Sequence, residues 1–173
     1  MSRLGSLSPA ALQAMFNPDA GDTLAVLITI TGTGISPAIR IADNYTGRIA
    51  SLTTDDEVIY GVVSRGQNYV FLPFQISLPT EETESAPRCQ ITINDVTRYL
   101  IPVIRQATTA LNVTIELVLT STPDIVEASF GGFLMSGISY NANTITADLN
   151  VESLAIEPFP QHTFTPSYFP GLF

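Results

Sequence analysis

Apolar and polar residues alternate along most of the chain, in short runs that end at glycine, proline or asparagine. The runs that predict strands cover residues 24–30, 38–42, 58–63, 69–78, 88–93, 111–120, 125–130, 133–138 and 144–156. Turn signals recur about every ten residues, as in sandwiches and barrels. Pro73 interrupts the run 69–78, which predicts an edge strand or a bulge because proline has no N–H to donate. We therefore predict a mainly β fold, either an antiparallel β-sandwich or a barrel-like domain.

Two further segments carry helix signals. Residues 8–16 begin with Ser8 as a cap and with a proline suited to the first turn, and Asn17 and Pro18 end them. A second, inserted helix is predicted after residue 94 or 95, with Pro102 off its apolar stripe and expected to kink it. The apolar residues at helical spacing are Val96, Tyr99, Leu100, Val103 and Ile104.

A chain of 173 residues has room for one domain. We predict an N-terminal arm with the short helix over 1–22, a β-rich core over 23–157 and a C-terminal arm over 158–173. Prolines exclude a regular helix or central strand from the last arm, yet its aromatic rings favour docking on the domain itself or on a neighbouring subunit. The predicted interface residues are Leu12, Met15, Phe16, Phe159, His162, Phe164, Tyr168, Phe169 and Phe173.

The charge of the chain limits the classes of partner that it can bind. Seven basic residues, all arginine, stand against 16 acidic ones, giving a net charge of −9. A chain of this kind cannot offer the clustered positive surface that binds nucleic acid or an anionic membrane. Only 13% of residues are charged, against about 25% in typical soluble domains. This low charge favours a surface partly covered by other subunits, although ordinary variation also explains it. No apolar stretch is long enough to cross a membrane, so no membrane insertion is expected.

The sequence offers few candidate residues for catalysis or for binding a cofactor. The one histidine, His162, lies in the C-terminal arm, where a polar contact is the simpler interpretation than a catalytic base. Lysine is absent, which excludes a Schiff base or a phosphate-loop lysine. The single cysteine, Cys89, is read as a small buried apolar residue. Acidic clusters at 55–57 and 81–84 lack a defined ligand spacing and are read as solvated loops. We predict no catalytic residues, no cofactor and no metal.

Motifs scattered along nearly the whole chain resemble those of a family of tail proteins from long-tailed phages, similar to distal-tail or hub-associated subunits. The matching segments are S-R-G-Q-x-Y at 64–69, P-F-Q-I-S-L-P at 73–79, P-R at 87–88, I-x-I-x-D at 91–95, E-L-V-L at 116–119, E-P-F-P at 157–160 and F-T-P-x-x-F-P-G-L-F at 164–173. Tyr168 departs from the pattern, since similar sequences carry a basic residue there. The N-terminal helical segment is not covered.

The resemblance implies a virion structural protein made in the host cytoplasm and placed in the tail tip or baseplate. Such subunits form a homo-oligomeric ring, with a hexamer favoured and a trimer as the alternative, between the tail tube or tape-measure end and the central hub. Acidic character would then keep a channel from holding DNA. Other classes remain open: an adsorption or carbohydrate-binding module, a tail assembly factor, or a cell-wall hydrolase that uses a carboxylate pair.

Overall fold

The computed structural model describes residues 7–17, 21–51, 58–77, 88–94, 100–106, 109–141 and 143–151. This part of the chain holds ten strands and two helices. In chain order they are α1 (Pro9–Phe16), β1 (Leu24–Thr31), β2 (Ile39–Ala42), β3 (Gly47–Ser51), β4 (Val58–Ser64), β5 (Gln67–Phe71), β6 (Phe74–Ser77), β7 (Arg88–Asn94), α2 (Ile101–Ile104), β8 (Leu111–Leu119), β9 (Val126–Tyr140) and β10 (Thr144–Val151). The predicted mainly β fold is confirmed.

All ten described strands belong to one sheet, in the order β3-β4-β5-β2-β1-β8-β9-β10-β7-β6, and only β2 and β5 pair in parallel. Just Leu72 and Pro73 separate β5 from β6, yet β5 pairs with β2 and β6 pairs with β7. The Leu72 N–H donates to the Ala42 carbonyl at 3.0 Å, and the Pro73 carbonyl accepts from the Asn94 N–H at 2.8 Å. This bent segment therefore joins the two ends of the row from β2 to β7 and closes it into a barrel.

The barrel interior holds the larger hydrophobic cluster. Its buried members come from β1, β2, β7, β8, β9 and β10, and include Ile28, Ile41, Ile91, Leu111 and Leu149. Leu100 and Ile104, at the two ends of the described helical turn, join the same cluster. The described part of the inserted helix therefore covers part of the barrel interior, while Val96 and Tyr99 of its predicted apolar stripe lie outside the described residues.

A second cluster lies on the outer face. Ala25 and Leu27 alternate along β1 with Val26 and Ile28, and successive side chains of a strand point to opposite faces. Ile28 is in the interior cluster and Leu27 in the outer one, so β1 is covered on both sides. This explains why residues 24–30 form a nearly continuous apolar run. The outer cluster consists of Ala25, Leu27, Ala42, Val62, Tyr69 and Val118.

The hairpin of β4 and β5 folds over this outer face. In a flat sheet β5 and β8 would be three strand spacings apart, about 14 Å. The tip of the hairpin nevertheless contacts the turn after β8, because the Ser64 hydroxyl donates to the Pro123 carbonyl at 2.7 Å. Ser64 is fully buried and is the one polar residue among the described buried residues. The hairpin therefore covers the outer cluster.

Three register shifts bend β9, two against β8 and one against β10, and two of the three lie at glycines. The register of β9 shifts against β8 near Gly132 and against β10 near Gly137. Both glycines have positive φ, 81° and 59°, a conformation that glycine adopts without steric cost. Such bulges turn a strand around the curve of a barrel. The sequence prediction of two strands at 125–130 and 133–138 was wrong because the break at Gly131 is a bend within one strand.

The other strand predictions largely agree with the structure. Pro73 splits the run 69–78 into two strands with different partners, so the expected interruption is confirmed but a single strand is wrong. Strand β3 was missed by the sequence analysis. Pro102 is the second residue of α2. Cys89 is 4% exposed, as expected for a small buried residue, and burial raises the pKa of its thiol.

Candidate functional site

Three polar side chains form a row across the outer face of the barrel, where the outer cluster ends. Thr29 on β1 pairs in register with Arg40 on β2 and with Thr114 on β8. Directly paired residues of neighbouring strands project to the same face of a sheet. Tyr69 on β5 lies beside this row, with its hydroxyl 3.2 Å from the Thr29 hydroxyl. The row therefore interrupts an otherwise apolar face with donors and a positive charge.

This row lines an open groove of about 350 Å³. The β4–β5 hairpin forms its wall. We call it the outer groove, and it is lined by Thr29, Arg40, Arg65, Gln67, Tyr69, Thr114 and Glu116.

The hairpin tip has an unusual backbone. Arg65 and Gly66 form a two-residue turn between β4 and β5, and their φ angles of 50° and 72° are both positive. This matches a type I′ turn, in which glycine and asparagine are common and arginine is not. The left-handed conformation costs a side-chain-bearing residue roughly 1 kcal/mol. The Arg65 N–H donates to the Asp124 carboxylate, which helps to hold this conformation.

Arg65 also makes an ion pair with Glu116, and both residues line the groove. Its guanidinium donates through both terminal nitrogens to the Glu116 carboxylate, in the fork geometry that gives strong charge-assisted hydrogen bonds. This hydrogen bonding to Glu116 is the main cause that raises the pKa of Arg65, and an interaction with Tyr69 adds to it. The pair joins the hairpin to β8 and neutralises Glu116.

Arg40 is the second cation of the groove and has weaker partners. Its guanidinium donates one long hydrogen bond, at 3.5 Å, to the carbonyl of Ala38 just before β2. Within the described ranges no carboxylate lies at ion-pair distance from Arg40. Because Arg65 and Glu116 compensate each other, Arg40 gives the described groove a net positive charge.

A second surface feature is an exposed group of aromatic rings. The ring of Tyr45 lies 5.5 Å from that of Tyr60 and 5.2 Å from that of Phe71, measured between centroids. Tyr45 and Tyr60 are 52% and 49% exposed, and Val58 on the same strand is 40% exposed. We call Tyr45, Val58, Tyr60 and Phe71 the aromatic surface. It lies beside β3, the last strand of the ladder, whose described pairing is with β4 alone.

The structure describes three of the predicted interface residues, all on α1. Ser8 caps the helix by accepting from the Ala11 N–H at 3.1 Å. The same residue anchors it to β9, because its N–H and hydroxyl each donate to the Glu127 carboxylate at 2.9 Å. Leu12 is half-buried, Met15 is 46% exposed and Phe16 is 74% exposed. α1 therefore holds to its own domain while presenting apolar side chains to solvent.

The remaining predicted interface residues lie outside the described residues: Phe159, His162, Phe164, Tyr168, Phe169 and Phe173. The acidic clusters at 55–57 and 81–84 lie outside them too. The aromatic surface and the outer groove were not identified from the sequence. A usable signal was present for the groove, since Thr29 and Arg40 are polar residues set between isoleucines in strands.

Over the described ranges no three His, Cys, Asp or Glu side chains group closely enough to hold a metal ion. Among the helices of those same ranges, none combines the length and the apolar character needed to span a membrane. Comparison of the chain with known protein families found no matching family model, and comparison with curated proteins found no matching sequence.

Proposed function

We propose that this chain is a structural subunit of a phage tail tip or baseplate, assembled as a ring between the tail tube or tape-measure end and the central hub. The sequence motifs described above motivate the tail assignment, and the β-rich barrel is compatible with it. The aromatic surface is the structural observation that carries the assembly part of the proposal. Its apolar side chains are exposed together instead of singly, and such groups mark protein interfaces.

The position of the aromatic surface suits ring formation. It borders β3, whose second edge pairs with no strand among the described residues, which leaves it able to accept a strand or a covering segment of a neighbour. A ring closes when one face of each subunit meets a different face of the next. The exposed Met15 and Phe16 of α1 offer a second apolar group for such a contact. Six copies are favoured over three on the family resemblance alone.

The location of the protein in phage particles tests the proposal first. Purified particles are labelled with a gold-conjugated antibody against this chain and analysed by mass spectrometry. Label confined to the tail end opposite the capsid supports a tail-tip subunit. Absence of the chain from particles overturns the structural role and leaves an assembly factor as the remaining tail function.

A pair of variants tests the aromatic surface. Tyr60→Ser should reduce incorporation of the chain into particles at least about tenfold, because it removes an exposed ring from the proposed contact. Tyr140→Ser is the matched control, since Tyr140 is 47% exposed but lies beside Arg105, away from the aromatic surface. Equal incorporation of the two variants, both folded, contradicts the assigned interface. Deletion of residues 158–173 should likewise block tail assembly while leaving the barrel folded.

A second candidate function is favoured by one observation. The outer groove offers hydroxyl, amide and guanidinium groups beside an aromatic residue, a set that also suits a saccharide. An adsorption or carbohydrate-binding module would bind glycans through it. Micromolar binding on a glycan array that is lost on Gln67→Ala, with no label at the tail tip, would favour this candidate.

A further inference from the structure

We infer that the outer groove binds a carboxylate carried by an acidic segment of a second copy of this chain. The partner named here rests on the proposed function, since a ring is what brings copies together. The chemistry of the groove is independent of it.

The groove has more hydrogen-bond donors than the described residues provide acceptors for. Arg40 has five N–H donors, and only one hydrogen bond, at 3.5 Å, is described for them. The hydroxyls of Thr29 and Tyr69 lie 3.2 Å apart, and either of them can donate to the other. Whichever hydroxyl accepts keeps its own O–H, so this pair has one O–H left to donate to a ligand in the groove. The Thr114 hydroxyl lies in the same row.

The charge of the groove selects a single negative group. Glu116 is already matched by Arg65, which leaves the charge of Arg40 for a ligand. A guanidinium binds a carboxylate through two parallel hydrogen bonds. A doubly charged phosphate is less suited, because Glu116 lines the groove and the whole chain carries a net charge of −9. One carboxylate bridged by Arg40 and Thr29 satisfies the donors without excess charge.

Charge complementarity points to the second copy as the source. The chain holds 16 acidic residues against seven basic ones, and two acidic runs stand out at 55–57 and 81–84. Every copy therefore carries both a positively charged groove and acidic segments able to fill the groove of a neighbour. A contact between two unlike surfaces of identical subunits is the kind that a ring requires.

A peptide titration tests the groove without needing the ring. The probes are two synthetic peptides, residues 52–59 and 79–86 of this chain, each with a matched peptide that has glutamine or asparagine in place of its acidic residues. Each is titrated into the full-length ¹⁵N-labelled protein at low salt. We expect at least one acidic peptide to shift the backbone amide signals around Thr29, Arg40 and Thr114. The amide-substituted peptides should not shift them.

Two arginine variants make the result specific. Arg40→Gln should weaken binding of the acidic peptide about tenfold, in line with the loss of a charge-assisted hydrogen-bonded pair. Arg48→Gln is the control, because Arg48 is exposed on β3 and does not line the groove. Raising the salt concentration to 1 M should weaken binding in the wild type.

Three results overturn the inference. They are no shift with either acidic peptide, equal shifts with the amide-substituted peptides, or unchanged binding in Arg40→Gln. If glucuronate shifts the same signals while both peptides are silent, the ligand is an acidic saccharide and the second copy is wrong. If neither peptide binds although the antibody labels the tail tip, the proposed groove ligand is wrong and the proposed function stands. If an acidic peptide binds but the antibody does not label the tail tip, the proposed function is wrong and the groove ligand stands.

Discussion

Gly61 allows the β4–β5 hairpin to pack closely, and replacing it tests that packing. A Cβ atom on Gly61 would overlap the Tyr69 carbonyl oxygen on β5 and the Cδ1 atom of Ile49 on β3. Gly47 is its register partner across β3 and β4, and a Cβ atom there would meet nothing within 4 Å. The two glycines therefore form a matched pair, in which the same substitution meets opposite surroundings.

The size of the effect follows from what must move. The Ile49 side chain can rotate away, but the Tyr69 carbonyl belongs to the backbone of a paired strand and can yield only if β4 and β5 separate. Overpacking costs about 1–3 kcal/mol where side chains can adjust, so we expect Gly61→Ala to lower the free energy of unfolding by about 3 kcal/mol. Gly47→Ala should be neutral or raise it by up to about 1 kcal/mol, because alanine restricts the unfolded chain.

Urea unfolding of the wild type and both variants measures this difference. The corresponding fall in melting temperature for Gly61→Ala is about 6–12 °C at 2–4 °C per kcal/mol for a chain of this size. Similar slopes for all three proteins would show that the change is in stability and not in the unfolded state. If Gly61→Ala and Gly47→Ala differ by less than about 1 kcal/mol, the close approach of β4 to Tyr69 is wrong.

Three further predictions concern charge and burial. Glu116→Gln should lower the free energy of unfolding by about 1 kcal/mol at low salt, because the partly exposed ion pair with Arg65 is lost. In 1 M salt the loss should be smaller, since salt screens the pair. Equal losses at both salt concentrations, measured by urea unfolding, would refute the ion-pair explanation. Burial is the main cause that raises the pKa of Asp43 above 3.8, so its stabilising contribution is complete below pH 3.8 and is lost as pH rises through the folded-state pKa. Asp43→Asn should therefore become more stable than the wild type towards pH 7, and a stability difference independent of pH would contradict this. Cys89 should react with a thiol reagent rapidly in denaturant and at least about a hundredfold more slowly in the folded protein, since its thiol is buried; equal rates would place it at the surface.

Much of the fold was predictable because its strands obey local rules. Alternation located most strands, and the apolar stripe around Leu100 and Ile104 placed the inserted helix against the core. Strand β3 was missed because Ile49 is its one large apolar residue. The continuity of β9 was missed because the glycines at 131 and 132 read as a turn, whereas their neighbours on β8 and β10 keep the strand paired.

The outer groove could not be predicted from local patterns. Thr29 and Arg40 face each other across the β1–β2 hairpin, but Thr114 joins them only through the register of β1 with β8, which pairs segments far apart in sequence. The ion pair of Arg65 with Glu116 further depends on the hairpin folding across the sheet. The exposed side chains of α1 were easier to anticipate, since a helix of about two turns cannot bury all its apolar residues.

The pairing of β1 with β8 also sets the order in which the barrel can form during synthesis. Leu24 pairs with Leu119, so 95 further residues (119 − 24) must be synthesised after Leu24 before its pairing partner on β8 exists. At about 5–20 residues per second this interval lasts several seconds or more. Meanwhile the interior face of the apolar β1–β2 hairpin lacks its contacts with β8, β9 and β10. Nascent chains of this protein should therefore be good substrates for ribosome-associated chaperones until β8 is complete.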